Sequence, residues 1–155
     1  VSARPLPPTG LATLIAKSLT VLRKTTGPDL KVCIEHGDFT PWNIRASTSG
    51  ELFVLDWEHS RARGLPWLDA LHFVYQMETL VRRKKPAAVL RALRQLFVLP
   101  VTTEYAANAV ATKVLQNRFI MIYFLRMLVV GAADGCSPTS RDQVARCEVL
   151  ELSMA

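Results

Sequence analysis

Apolar residues recur at Leu11, Leu14, Ile15, Leu19 and Leu22 in LATLIAKSLTVLRKT, a spacing close to one face of a helix. Thr9 stands where it can cap that helix, and Gly27-Pro28 where the chain stops it. The Pro-rich residues 1–10 read as an extended tether. A short strand, LKVCI, leads into the polar stretch HGDFTPWNI, His36 to Ile44. NIRA, STSG and ELFVL then read as strand, turn and strand, because Leu52, Phe53 and Val54 favour extended backbone and Ser and Gly supply turn chemistry. From Leu65 onward the period becomes helical, over roughly 67–83, 86–97, 103–132 and 140–152. There is no internal repeat. The pattern predicts one α+β domain, mainly α, with a loop and small antiparallel β-hairpin in residues 30–58 and a helical subdomain in 65–155.

A chain of 155 residues has the length of one domain, and with half its residues apolar and about a fifth charged it can bury a core. The net charge of +6 suits an anionic partner: a nucleotide, a nucleic acid or an acidic membrane surface. Charge alone does not choose among them. Cys33, Cys136 and Cys147 are odd in number and lack CxxC spacing, so neither a zinc site nor a disulfide framework is indicated and a reducing, cytoplasmic setting is the simplest reading. The N-terminus has no signal-peptide core and no initiator methionine, which suggests a piece of a longer chain. Phe119 to Ala133 is apolar but interrupted by Arg126 and shorter than the ~20 residues of a membrane span. It reads as a buried core helix rather than a membrane segment.

Chemistry concentrates in HGDFTPWNI. Pro41 removes a backbone donor and pushes Thr40 out of helical geometry, so residues 38–43 should form a rigid loop. With the hairpin turn centred on Ser47 to Gly50, Asn43 falls opposite Val54, and Asp56 lies roughly 6 to 7 Å further along the same face. A register shift of one turn residue would bring them directly opposite; either way an amide oxygen and a carboxylate can converge on one hard cation. Magnesium takes one or two protein carboxylates and leaves its other positions to water and phosphates. Asp38 is placed to accept or orient the proton of an attacking hydroxyl.

These residues carry a resemblance. HGDFTPWN resembles the H-x-D-x-x-x-x-N catalytic loop of the aminoglycoside phosphotransferase and choline kinase-like family, and FVLDWE resembles its metal-binding strand end. The same logic underlies the HRD loop and DFG aspartate of protein kinases. The resemblance implies a protein-kinase-like C-terminal lobe in which Asp38 is the catalytic base. It implies that Asn43 and Asp56 hold Mg2+ on ATP and that His36 braces the loop by hydrogen bonds. GLPWLDALHF supplies the family's Pro-x-x-Asp element as Pro66 and Asp69, with Asp69 an internal brace or helix-start anion. No Gly-rich phosphate-covering loop or strand lysine precedes residue 30, so the N-terminal nucleotide-binding lobe is expected to be absent from this chain. The acceptor would be a small hydroxyl compound such as an aminoglycoside, choline, homoserine or a sugar.

Other residues have simpler expectations. Trp42 should pack under the loop, Trp67, Phe73 and Tyr75 should be core, and His72 should be a packed histidine; neither His59 nor His72 has partners at metal-ligand spacing. Glu58 is a metal or substrate contact, or a bracing surface carboxylate. Glu78, Glu104, Asp134 and Asp142 could line a pocket for a cationic acceptor. Arg82 to Lys85 suits a solvated helix end, where cations complement the dipole. Two rival readings stand beside the kinase: a non-catalytic kinase-like binding or scaffold module, and a basic nucleic-acid-binding helical domain. The second rests on charge alone.

Overall fold

The structure, a computed structural model, describes residues 8–24, 32–99 and 113–154. Its elements are helix α1 (Pro8–Arg23), strands β1 (Cys33–Glu35), β2 (Ile44–Ala46), β3 (Leu52–Val54) and β4 (Arg61–Gly64), then helices α2 (Leu68–Gln76), α3 (Pro86–Leu96), α4 (Lys113–Ala133) and α5 (Arg141–Ser153). The fold is therefore α+β and mainly helical, with two small antiparallel sheets.

The helices form because their apolar positions share faces. In α3, Val89, Leu90, Leu93 and Leu96 are buried at helical spacing, and Pro86 starts the helix at N1, where its missing N–H costs nothing. Ser140 caps α5 by accepting from the Gln143 N–H at 3.3 Å. α4 is apolar on most sides and packs against α1, α2, α3 and α5, which accounts for its buried Phe119, Ile120, Tyr123, Phe124 and Leu128. Residues 115–133 are long and apolar enough to cross a membrane, and half of that stretch is buried inside the fold. Leu71, Tyr75, Val89, Leu93, Phe124 and Leu150 form the centre of one core. α2 continues through a π-helical turn, Met77–Val81, and the exposed Arg82 to Lys85 follow it.

Several expectations need correction. Helix α1 begins at Pro8, so residues 8–10 are helix rather than tether and Thr9 lies inside the first turn, not at its cap. Residues 1–7, Gly27-Pro28 and 103–112 lie outside the described residues. β1 spans Cys33–Glu35 and pairs with β4, a strand the sequence pattern did not announce, because RARG has no β-branched or aromatic residue. Close approach explains the pairing: a side chain at Gly64 would run into that of Glu35.

The hairpin register is also shifted by one. Ile44 pairs with Val54 and Ala46 with Leu52, and the Leu55 N–H donates to the Asn43 carbonyl at 2.8 Å, so Asn43 lies opposite Leu55 rather than Val54. Ser47 and Glu51 continue the ladder, leaving a three-residue turn, Thr48 to Gly50. Gly50 takes the left-handed conformation (φ +88°) such a turn needs.

Candidate functional site

The loop after β1 is fastened from below. Asp69, in the first turn of α2, accepts the N–H groups of His36 at 2.7 Å and Gly37 at 2.9 Å, one on each carboxylate oxygen. Gly37 has φ +87°, and any Cβ there would collide with the His59 carbonyl, so the chain passes through a point only glycine fits. Glu35, just upstream, is buried and paired with Arg126 of α4. The Phe39 ring packs against Phe73, tilted at 41° with centroids 5.7 Å apart.

His36 bridges the loop to the hairpin. Its Nε2 donates to the Leu55 carbonyl at 2.8 Å, while Nδ1 accepts the Asp38 N–H at 3.3 Å. The indole of Trp57 lies against the same ring, 4.6 Å between centroids. Asp56, the next residue after Leu55, is exposed and left-handed (φ 66°, ψ 60°), which ends β3 and turns the chain into the short helical turn Trp57–His59. Left-handed backbone is uncommon outside glycine, and aspartate tolerates it better than most side chains.

Asp38 has a partner on each oxygen. The Asn43 Nδ2 donates to Oδ2 at 3.0 Å and to the Asp38 carbonyl at 2.9 Å. His72 Nε2 meets Oδ1 at 3.2 Å, and His72 Nδ1 meets the Tyr123 hydroxyl at 2.9 Å. Burial holds the His72 pKa below its ordinary 6.5, against the opposing pull of Asp38, so the ring is neutral at pH 7 and the contact is a hydrogen bond rather than an ion pair. A carboxylate only accepts from its donor, so Nε2 carries the proton and Nδ1 accepts from Tyr123. The Tyr123 phenol, fully buried, is pushed well up from 10, so it remains a donor.

Asp38, Asp69, His72 and Tyr123 line a cavity of about 700 Å³, together with Arg61, Glu58 and Asp134. Asn43 and Asp56 do not line it and belong to the hairpin side. That side carries exposed Leu52, Phe53, Leu55 and Trp57, and a separate groove of about 560 Å³ runs between Ile34, Phe39, Val54, Trp57 and Leu65. Trp42 is exposed rather than packed under the loop, because the turn Pro41–Asn43 buries Asn43 in its place. Of the four acidic candidates, Asp134 lines the cavity, whereas Glu78 pairs with Arg82 and Asp142 with Arg146 and the Tyr75 hydroxyl. Glu104 lies outside the described residues. Glu58 and His59 are exposed and face each other at 3.4 Å.

His72 and Tyr123 are the residues the sequence pattern left out of the site. The signal for His72 was present: it lies three residues after Asp69, on the same helix face, and so points back at the loop Asp69 holds. Tyr123, in the apolar α4, gives no such signal.

Among the described residues no group of three or more His, Cys, Asp or Glu could enclose a metal. The donors at hand are the Asn43 amide oxygen, left over once its nitrogen is committed to Asp38, and the Asp56 carboxylate. An amide oxygen and a carboxylate are donor types that magnesium takes when phosphates and water fill its other positions, and the register sets Asn43 opposite Leu55 rather than on the face expected for Asp56. Comparison with protein-family models, curated proteins and solved structures finds no match to this chain.

Proposed function

We propose that this chain is the C-terminal lobe of a kinase-like phosphotransferase that moves the γ-phosphoryl group of ATP to a hydroxyl of a small molecule. The observation that carries the reading is the clamp on Asp38: a carboxylate at a cavity wall, fixed on both oxygens, in a loop bridged by His36 to the strand that ends at Asp56. Asp38 orients the acceptor hydroxyl and takes its proton; each of its oxygens keeps a lone pair for that purpose. Asn43 and Asp56 supply the oxygen donors for magnesium, which when bound neutralises charge on the phosphates. The His36 bridge keeps the two halves in register, and catalysis follows from positioning. The cavity receives the acceptor.

The natural full-length protein tests this by calorimetric titration with MgATP and by 31P NMR of phosphoryl transfer to a panel of hydroxyl compounds. Asp38→Ala should cost roughly 10²-fold or more in turnover and leave nucleotide binding in place. Asp56→Asn should weaken magnesium-dependent nucleotide binding roughly tenfold. Equal loss of binding and turnover in Asp38→Ala, or binding indifferent to Asp56, overturns the reading. A second reading, a non-catalytic kinase-like binding module, is favoured by the exposed Leu52, Phe53, Leu55 and Trp57. It predicts no nucleotide binding, with or without magnesium.

A further inference from the structure

The Asp38 side chain is about a third exposed, and the cavity beside it is wide enough for a free carboxylate to adopt several rotamers. Asn43 restrains one oxygen but belongs to the same loop, so it moves with Asp38. The other restraint comes from elsewhere. His72 sits on α2 and Tyr123 on α4, both buried, and the chain Tyr123 O–H to His72 Nδ1, then His72 Nε2–H to Asp38 Oδ1, runs from the helical core to the cavity wall.

We infer that His72 is a positioning residue, which with Tyr123 behind it fixes the orientation of the Asp38 carboxylate relative to the acceptor. Its catalytic consequence rests on the phosphotransfer reading; the contact itself does not. The ring works in its neutral Nε2–H form. Asp38 selects that tautomer, since a carboxylate only accepts and so takes the hydrogen on Nε2, while the Tyr123 hydroxyl, held protonated by burial, donates to the bare Nδ1. The groups facing His72 are Asp38 from the loop, Asp69 and the Gln76 amide, 3.3 Å from Nε2, on its own helix, Tyr123 from α4 and Arg146 from α5. Protonation of the ring would turn the hydrogen bond into an ion pair and make Asp38 a weaker proton acceptor.

Two measurements separate the contact from the chemistry. The first is 15N NMR of the histidine side chains in the natural full-length protein. His72 should show a protonated Nε2 and a bare Nδ1 at neutral pH, Asp38→Ala should shift the Nε2 signal and mix the tautomers, and Tyr123→Phe should shift the Nδ1 signal. A His72 signal indifferent to both substitutions overturns the inference. The second is turnover of MgATP, with water or an identified hydroxyl acceptor. His72→Phe should lose roughly tenfold to hundredfold in kcat with little change in KM for MgATP. His72→Gln, whose amide N–H reaches the same place, should recover most of that loss and remove the part of the acid limb that His72 protonation adds. If His72→Gln is as impaired as His72→Phe while both stay folded by circular dichroism, His72 does not position Asp38. If the wild type turns over no MgATP while the NMR coupling is intact, the phosphotransfer reading fails and the positioning contact stands.

Discussion

Asp38, on the helical side of the site, is backed by two buried side chains from two helices, whereas Asp56, on the hairpin side, is exposed and follows a strand whose Leu52 and Phe53 face solvent. The two sides use different means to hold a carboxylate. On the helical side the loop hangs from Asp69 and packs Phe39 on Phe73, so its geometry is inherited from a packed core. The hairpin is a two-stranded ladder, and such a ladder alone is marginal in water. It is tied back through the His36 ring, the Asn43 to Leu55 pairing and the Trp57 indole, whose N–H donates to the Val54 carbonyl at 2.9 Å. In the proposed phosphotransfer, the base to be aimed would stand on the rigid side, and Asp56, a donor for the cation, on the side that can adjust.

Breaking the helical side should have the largest effect. Phe124 is fully buried against Tyr75 and Tyr123, so Phe124→Ala should cost about 3–5 kcal/mol in denaturant unfolding. Asp69→Ala comes next, at about 2–4 kcal/mol, because it strips the acceptors from two loop N–H groups. Hydrogen exchange at His36 and Gly37 should rise with it.

Acidification tests the same side more gently. The folded-state pKa of His72 is depressed, so the unfolded chain binds its proton first as pH falls. Stability should be complete above about pH 6.5 and fall below it, down through the lower folded value, and His72→Gln should flatten that decline. At the alkaline end burial pushes the Cys147 thiol up to about 11 from 9.0, so stability should fall as pH rises through that interval. The hairpin should respond least. With Leu52 70% exposed, Leu52→Ser should change stability by no more than about 0.5 kcal/mol. A cost above about 1 kcal/mol at that position would show that the two sides are one packed unit and erase the contrast.

The helices were the legible part of the sequence. Val89, Leu90, Leu93 and Leu96 repeat at the helical period behind a proline, so the bounds of α3 could be read almost directly. β4 was not legible, because RARG owes its pairing to the room that Gly64 gives Glu35 and not to any strand preference of its own. The hairpin was recognisable from its turn residues, but its register turned on a single choice, whether Gly50 closes a two-residue or a three-residue loop. The spacing of Asp38, Asn43 and Asp56 stood out in one short stretch, and of the three only Asp38 lines the cavity. The contact of His72 with Tyr123 spans 51 residues and depends on how two helices pack, which no local pattern encodes.

The pairing of Glu35 with Arg126 and of His72 with Tyr123 has a consequence for the order of assembly. Asp38 leaves the ribosome early, but the helix that completes its support is made some 85 residues later. At about 5–20 residues per second, the loop waits roughly 4–17 seconds for that helix to arrive. Nascent chains arrested before Tyr123 should therefore leave His36 to Asn43 open to proteolysis, and chains arrested well after Met127 should protect it.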